Sequence, residues 1–319
     1  IDFKYFQYDH VKDGRRQPGS SFKPIVYATA IDNGFSPCFT VVDAPVTFAK
    51  DVGGKPWTPK NADGPPSGRQ FTLRQAMGRS INTVSAFLVK TLTPGKVVDY
   101  AQRLGISSPL ESVPSIALGT QDVSIYDLLG VYSTFANGGV WNEPRYITRI
   151  EDKNGNLIGE PVYRDREVLN EETAYLMTYM LQGAVQERGG TAMGLRRYKL
   201  AKCLPHIGAK TGTTQNYSDG WFMGMMPNLA AGVWIGGDDR SIHFRDRNGE
   251  GGKMAMPLWA TFIERVANDP AINFQPGSFK KPAAISVSLN CDDYQITPAV
   301  DSTAYKPPTV SGLEDEGFR

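Results

Sequence analysis

Residues 16–32, RQPGSSFKPIVYATAID, contain a turn, an apolar run and the first pair of side chains in this chain that indicates catalytic chemistry. A Pro-Gly turn leads into an apolar run, which predicts a buried helix over residues 21–33 that Gly34 ends. Ser20 is expected at the N-cap of this helix, so that Pro24 falls in the first turn, where its missing N–H costs no hydrogen bond. Lys23 then lies one helical turn after Ser20 on the same face.

The pattern SxxK at Ser20 and Lys23 places a hydroxyl and an amine side by side. A serine at a helix start feels the positive end of the helix dipole, and free N–H groups nearby can receive a developing oxyanion. If Lys23 is partly buried near other positive charges, its pKa falls and its neutral amine can act as a base. Taken alone the pattern is weak, because SxxK occurs by chance in many helices whose lysine is simply solvated.

The composition limits the class of protein. The chain has 319 residues, enough for a sizeable core, and 34 Lys and Arg against 33 Asp and Glu give no net field that favours nucleic acid or a membrane surface. Cys38, Cys203 and Cys291 show no CxxC spacing and make an odd number. This pattern predicts neither a zinc site nor a full disulfide framework, and buried or incidental thiols are expected.

The sequence changes character after Gly189. Before it, helical patterns dominate, and the Pro- and Gly-rich segment 41–68 between the first two helices reads as loop; further helices are predicted over residues 72–80, 83–92, 94–105, 124–139 and 170–187. After it, three short apolar runs read as adjacent antiparallel strands, followed by a helix; they cover residues 206–214, 219–226, 229–237 and 252–269. Beyond Pro270 we expect a tail with one strand at residues 284–289.

A second cluster, Ser80-Ile81-Asn82, lies at a break between two predicted helices. In an extended loop, alternation would point Ser80 and Asn82 the same way while Ile81 anchors the loop in the core. The alternative interpretation is a helix cap before residue 83.

A third cluster covers residues 210–214, KTGTT. A lysine and hydroxyls alternating along a strand predict a one-sided row of donors for an anionic carboxylate, and Gly212 would let a substrate backbone lie close. A phosphate-binding loop does not fit, because the spacing GxxxxGK[ST] is absent and strands follow rather than a helix.

Together SxxK, SxN and KTGT, in this order, resemble the signature of penicillin-binding proteins and serine beta-lactamases. Three longer blocks, RQPGSSFKP, ALGTQDVSIYDLLGVYSTFANGG and KTGTTQNYSDGWFMG, are similar to the transpeptidase domain of class A (bifunctional) penicillin-binding proteins. Asp219 and Trp221 lie where that family's segment after KTGT has them, which favours class A over the division-specific class B.

The resemblance implies an α/β (α+β) fold, in which helices flank an antiparallel sheet and a mainly helical subdomain adjoins it. Residues 1–268 would form the transpeptidase domain, and residues 269–319 a Pro-rich and acidic tail or small appendage. The family's usual N-terminal hairpin, its membrane helix and its glycosyltransferase domain are not in this sequence, which starts at Ile1 without methionine. We therefore expect a fragment whose remaining sheet strands come from residues outside it.

The resemblance also assigns roles to individual residues. Four residues are assigned to the chemical steps: the nucleophile Ser20, its base Lys23, the proton relay Ser80, and Lys210, which keeps the local field positive. Five residues are assigned to substrate binding: Asn82, Thr211, Gly212, Thr213 and Thr214. The oxyanion hole is assigned to the backbone N–H groups of Ser20 and Thr213.

The reaction implied is acyl transfer between peptidoglycan stem peptides, with D-Ala-D-Ala as donor, an amine as acceptor and beta-lactam antibiotics as covalent inhibitors. No metal or cofactor and no nucleic acid is expected. The full-length protein would be anchored in the cytoplasmic membrane, with its catalytic part in the periplasm.

Four alternatives remain open. A beta-lactamase would need a deacylating glutamate, and the EVLN segment at Glu167–Asn170 is one residue short of the ExxLN loop and reads as a helix cap. A D,D-carboxypeptidase would use water as acceptor, and a beta-lactam sensor or scaffold would not turn over. A histidine-based triad would have to use His10, His206 or His243, which are scattered relative to the motifs.

Overall fold

The structure, a computed structural model, describes residues 7–292. Its helices are α1 (Lys23–Asp32), α2 (Leu73–Arg79), α3 (Asn82–Leu92), α4 (Pro94–Arg103), α5 (Ile125–Ala136), α6 (Glu171–Gln186) and α7 (Gly251–Asn268). Its strands are β1 (Arg15–Arg16), β2 (Thr40–Val42), β3 (Gln70–Thr72), β4 (Val123–Ser124), β5 (Val140–Asn142), β6 (Ile150–Glu151), β7 (Leu157–Gly159), β8 (Asp165–Glu167), β9 (Gly208–Thr213), β10 (Asp219–Met226) and β11 (Leu229–Gly236).

The central sheet consists of β9, β10 and β11, paired antiparallel in the order β11-β10-β9. Strand β10 is buried along its whole length, because both faces of the sheet are covered. Phe222 packs with Trp259 of α7 on one face, whereas Met223 belongs to the large core formed with the other helices on the opposite face. The three strands predicted from residues 206–237 are therefore confirmed, with their antiparallel order.

Helix α1 lies in the middle of the helical part. Every residue of α1 before Asp32 is buried, and the helix contacts α3, α4 and α6. Such burial on all sides explains why its sequence is apolar all round. The predicted N-cap at Ser20 is wrong: Ser20 lies in a 3₁₀ turn, Gly19–Phe22, and α1 begins after it at Lys23. The first turn does contain Pro24, as predicted.

The other predicted helices are confirmed within a few residues. Helix α2 begins with a capping box in which Thr72 and Gln75 exchange side-chain and backbone hydrogen bonds. Helix α6 begins at the expected cap, since Asn170 Oδ1 accepts a hydrogen bond from Thr173 N. No helix within residues 7–292 is long and apolar enough to cross a membrane.

The segment after α7 differs from the prediction. Residues 284–289 form no strand, and the segment runs instead along α6, where Ser286 N and Oγ both donate to Glu172 and Tyr179 OH donates to Leu289 O. Whether residues 269–319 form a separate unit stays a prediction, and residues 293–319 lie outside the described residues.

A disulfide joins Cys38 to Cys291 across a sequence separation of 253 residues. The expectation of unpaired thiols is therefore wrong for two of the three cysteines, because their pairing depends on the return of the C-terminal segment, which no local spacing reveals. Cys203 is a buried free thiol, as expected.

Within the described part of the chain the central sheet has three strands, and β11 pairs on one side only, with β10. The expected additional strands from outside this sequence stay a prediction.

Candidate active site

The 3₁₀ turn that carries Ser20 is fixed by three backbone segments in close contact. Gly19 has a φ of 53°, and a Cβ at this position would lie 2.5 Å from Thr213 O. Gly119 has a φ of 68°, and a Cβ there would lie 2.1 Å from Gly19 O. Gly19 N donates to Gly119 O at 3.1 Å. Only glycine fits both positions, and the result is that Ser20 is held at the end of β9.

The two neighbouring serines differ in availability. Ser21 is fully buried, and its Oγ donates to Pro18 O at 2.7 Å while its carbonyl accepts from Tyr132 OH at 2.9 Å. Ser20 is partly exposed, and its hydroxyl has no hydrogen-bond partner among residues 7–292. Of the two serines, Ser20 is therefore the one with a solvent-exposed part.

Two buried lysines meet at the hydroxyl of Ser80. Lys23 Nζ donates to Ser80 O at 2.7 Å, to Ser80 Oγ at 3.2 Å and to Asn82 Oδ1 at 2.6 Å. Lys210 Nζ donates to the same Ser80 Oγ at 2.9 Å and to Thr211 O at 3.0 Å. Residues from all three sequence clusters therefore lie in one network, although 57 and 130 positions separate Ser80 from the two lysines.

The environment lowers the pKa of both amines. Burial lowers the pKa of Lys23 well below its usual 10.5, and the positive charge of Lys210 lowers it further. Burial lowers the pKa of Lys210 to about 7. Since two ammonium groups beside one hydroxyl repel each other, the site does not hold both charges readily near neutral pH. The Ser80 hydroxyl can then donate its proton to whichever amine is neutral.

The Ser80-Ile81-Asn82 segment reaches this geometry in an unexpected conformation. Ser80 has a φ of 61° and ends α2, and Asn82 is the first residue of α3. The predicted extended loop is therefore wrong, because α2 ends and α3 begins within this segment. Ile81 is buried, as predicted, and the side chains of Ser80 and Asn82 both accept a hydrogen bond from Lys23 Nζ.

The two threonines of β9 face away from its lysine. Thr213 Oγ1 accepts a hydrogen bond from Gly251 N at 3.0 Å, at the start of α7. A Cβ at Gly252 would lie 3.7 Å from Thr211 Cγ2, so both hydroxyl-bearing side chains lie beside the N-terminus of α7. Lys210 points to the opposite side of the strand, towards Ser80. The predicted one-sided row is thus wrong, because residues i and i+1 of a strand face opposite ways.

Gly212 allows a close approach of the protein's own backbone, and the predicted approach of a substrate at this position stays a prediction. A Cβ at Gly212 would lie 2.3 Å from Pro18 O and 2.8 Å from Ser21 Oγ. The absence of a side chain at this position therefore lets the turn that carries Ser20 pack directly on β9.

The C-terminal end of β9 fixes the direction of two further groups, the N–H of Thr213 and the hydroxyl of Thr214. Thr214 N donates to Asp219 O at 3.1 Å, so the alternation of an antiparallel ladder turns the N–H of Thr213 away from β10, towards the turn that carries Ser20. The Thr214 hydroxyl accepts from Asp219 N at 3.0 Å and lies 3.1 Å from Ser218 Oγ. The predicted role of Thr214 in substrate binding gains no support from this arrangement.

Asp219 and Trp221, which the sequence comparison of motifs singled out, make hydrogen bonds that support the sheet. Trp221 Nε1 donates to Gln17 O at 2.9 Å, and Asp219 Oδ1 accepts from Trp234 Nε1 at 3.0 Å. His206 contacts Ser278, and His243 contacts Phe244 O.

Sequence reasoning missed two residues that bear on the site. Asp43 and Asn61 lie in the segment that was predicted only as loop, and Asn61 Oδ1 accepts a hydrogen bond from Asn82 N at 2.9 Å. Asn61, Asp63 and Gly64 are residue types typical of loops and turns, but nothing in the sequence indicated which group Asn61 contacts.

Comparison with known proteins finds a family match over most of the chain. The family described as penicillin binding protein transpeptidase domain matches residues 6–263. Penicillin-binding protein 1A of Neisseria meningitidis serogroup A is 36% identical over 269 residues, which cover 82% of this chain and 33% of that protein. Penicillin-binding protein 2D of Bacillus subtilis is 32% identical over 278 residues, with coverages of 86% and 39%. The chain thus spans roughly a third of the length of these curated relatives.

Solved structures show the fold. Penicillin-binding protein 1A from Haemophilus influenzae has a TM-score of 0.77 at 24% identity and covers 88% of this chain and 45% of its own. PonA1, a penicillin-binding protein from Mycobacterium tuberculosis, has a TM-score of 0.72 at 22% identity, with coverages of 87% and 74%. The predicted fold, an antiparallel sheet flanked by helices with a mainly helical part, is confirmed.

Proposed function

The chain belongs to the penicillin-binding protein transpeptidase family, since the family match covers residues 6–263, and from this premise we propose that it cross-links peptidoglycan stem peptides through an acyl-enzyme on Ser20. The observation that carries the proposal is the position of the Ser80 hydroxyl between the amines of Lys23 and Lys210. This arrangement joins a base and a proton relay one turn away from a free serine hydroxyl.

In the acylation step, Ser20 Oγ attacks the carbonyl carbon of the penultimate D-Ala. The neutral amine of Lys23 takes the serine proton, a new C–O bond forms, and the carbonyl electrons move to the oxygen. The N–H groups of Ser20 and Thr213 stabilise that oxyanion. When the intermediate collapses, the C–N bond breaks, and the Ser80 hydroxyl protonates the departing amine while it regains a proton from the lysine at its side.

Substrate binding is assigned to the face of β9 beside α7. The hydroxyls of Thr211 and Thr213 donate to the terminal carboxylate of D-Ala-D-Ala, and the N-terminus of α7 adds the positive end of its dipole. Asn82 Oδ1 accepts from Lys23 and keeps a second lone pair for an N–H of the donor peptide.

In the second step an amine of a neighbouring stem peptide attacks the ester, and Lys23 and Ser80 carry the protons in the reverse direction. The scheme uses no metal or cofactor. A beta-lactam offers the same carbonyl to Ser20, but its leaving nitrogen stays tethered to the acyl group, so the covalent adduct persists.

The intact protein is proposed to be a bifunctional enzyme with a glycosyltransferase domain and a membrane anchor, its transpeptidase part facing the periplasm. The match covers 33% of the length of penicillin-binding protein 1A of Neisseria meningitidis, which supports a longer intact protein. The disulfide between Cys38 and Cys291 supports an oxidising compartment outside the cytoplasm.

The test is mass spectrometry of the intact protein after incubation with penicillin. We expect an adduct on Ser20 that persists for many minutes. Ser20→Ala should abolish labelling by a fluorescent penicillin, while Ser21→Ala should still be labelled, because the Ser21 hydroxyl is bonded inside the turn. Unchanged labelling of Ser20→Ala would refute the assignment of the nucleophile. Rapid release of hydrolysed penicillin would identify a beta-lactamase instead.

A further inference from the structure

Asn61 links a buried carboxylate to the start of helix α3. Its Nδ2 donates to Asp43 Oδ1 at 2.8 Å. Its Oδ1 accepts from Asn82 N at 2.9 Å and from Thr83 N at 3.3 Å. One side chain from a distant loop therefore contacts the backbone of the residue that also binds Lys23.

Helix α3 lacks a cap of its own. Its N-cap residue is Ile81, whose apolar side chain makes no capping hydrogen bond. The first N–H groups of a helix need acceptors, and a side-chain oxygen normally supplies one from the N-cap position. Asn61 provides this acceptor from 21 residues away, and Asp43 Oδ1 adds a second attachment by accepting from Thr83 Oγ1 at 2.6 Å.

Asp43 determines which way the Asn61 amide faces. The residue is buried, and its carboxylate also accepts two hydrogen bonds from Ser67, from N and from Oγ, both at 2.7 Å. Burial raises the pKa of Asp43, but the hydrogen bonds from Thr83, Ser67 and Asn61 outweigh it and hold that pKa below its usual value. An ionised carboxylate only accepts, so Asn61 has to turn its NH₂ group to Asp43 and its oxygen to α3.

The same short segment also holds the side chain of Asn82. Asn82 Nδ2 donates to Lys60 O at 2.7 Å, which leaves Asn82 Oδ1 facing Lys23 Nζ at 2.6 Å. Residues 60 and 61 thus fix both the backbone and the amide orientation of Asn82. The position of the Lys23 amine depends on this acceptor.

We infer that Asn61, oriented by Asp43, is a positioning residue for acylation: it fixes Asn82 and, through Asn82, the amine of Lys23. The inference rests on the proposed function, because acylation of Ser20 is the reaction it serves. Asn61 acts on the rate of the chemical step, in addition to its contribution to the start of α3.

The first test is Asn61→Ala in the intact protein, measured by stopped-flow acylation with a fluorescent penicillin. We expect the acylation rate constant per labelled site to fall about ten- to a hundredfold, as for lost buried hydrogen bonds, with a much smaller change in the preceding binding constant. A mobile Asn82 amide removes an acceptor from the charged form of Lys23, so the pKa of Lys23 falls. The acid limb of the profile of acylation rate against pH should therefore move to lower pH. Lys210, the charged group that faces Lys23, is not altered in this variant.

The control is Asn156→Ala. Asn156 Nδ2 also bonds to an aspartate, Asp152, but in the exposed turn between β6 and β7, so the rate and its pH profile should match the wild type. A merely structural role of Asn61 would lower the melting temperature and the labelled fraction, but it would leave the rate per labelled site and the acid limb in place.

An exchange of the two side chains decides the question even if Asn61→Ala does not fold. Asn61→Asp alone sets two carboxylates against each other, and Asp43→Asn alone frees the Asn61 amide to turn round; both should acylate slowly. The double variant restores donor and acceptor in the opposite sense and should recover most of the rate. A double variant as slow as the single ones would overturn the inference, and so would wild-type kinetics of Asn61→Ala. Absence of any Ser20 adduct in the wild type would instead reject the proposed function itself.

Discussion

The hydroxyl of Ser80 connects the two lysines of this site, because it lies 3.2 Å from Lys23 Nζ and 2.9 Å from Lys210 Nζ. A hydroxyl can donate one proton and accept others, so it can pass a proton between two amines whose pKa values are both lowered. Neither lysine alone gives this property. The charge of Lys210 is what adds to burial in lowering the pKa of Lys23.

Replacement of Lys210 by methionine tests this coupling. Lys210→Met removes the nearby positive charge, so the pKa of Lys23 should rise, and a higher pH is then needed to keep Lys23 neutral. We expect penicillin acylation near pH 7 to fall by about a hundredfold or more, in the range of general-base effects, with partial recovery at higher pH. The measurement is the acylation rate constant as a function of pH.

The matched control is Lys90→Met, which changes an exposed lysine on α3 and should leave the profile unaltered. An acid limb that stays at its wild-type pH in Lys210→Met would contradict the electrostatic coupling, even if the rate fell.

At the scale of elements, the site depends on the contact between β9 and the 3₁₀ turn Gly19–Phe22. Their backbones approach closely because glycine occupies facing positions, with Gly212 against Pro18 O and Gly19 against Thr213 O. The oxyanion hole proposed for Ser20 and Thr213 needs this approach, since its two N–H groups come from the two elements.

Gly212→Ala tests this contact. The new Cβ would lie 2.3 Å from Pro18 O, a backbone atom that cannot move without displacing the turn. We expect destabilisation of about 1–3 kcal/mol, as for overpacking, together with slower acylation. Thermal unfolding and penicillin labelling measure the two effects. Gly159→Ala is the control, because a Cβ there meets nothing within 4 Å. Equal behaviour of the two variants would mean that the turn does not need the close contact.

The elements also show how far the sequence predicts the structure. The long periodic helices and the apolar strands were predictable, because burial of one face leaves a repeating pattern. The turn at Ser20 and the left-handed Ser80 were not, since both conformations are imposed by contacts with distant elements. The three motifs located the site, but the pairing of Asp43 with Asn61 depends on a loop fold that no periodicity encodes.

At the scale of the whole molecule, the C-terminal segment is attached to the helical part by the disulfide between Cys38 and Cys291. Cys38 is followed by Phe39, whose carbonyl accepts from Leu73 N at the start of α2. On the other side of the disulfide, two residues before Cys291, Leu289 O accepts a hydrogen bond from Tyr179 OH on α6. The crosslink therefore ties together segments that are distant in sequence and adjoin two helices of the core.

Removal of this crosslink should lower the stability of the whole chain but should change the acylation rate of Ser20 little. A disulfide that closes so long a loop restricts the unfolded chain, so Cys291→Ser should cost about 2–5 kcal/mol and several degrees in melting temperature. Because the hydrogen bonds described for Cys38 and Cys291 do not involve Ser20, Lys23 or Lys210, the folded variant should still be acylated by penicillin at a rate close to that of the wild type. Thermal unfolding with and without dithiothreitol separates the effects: the reductant should lower the melting temperature of the wild type and of Cys203→Ala, which keeps the disulfide, but not that of Cys291→Ser. A wild-type melting temperature that ignores the reductant, after thiol titration has shown full reduction, would mean that the contacts along α6 hold the segment without the covalent bond.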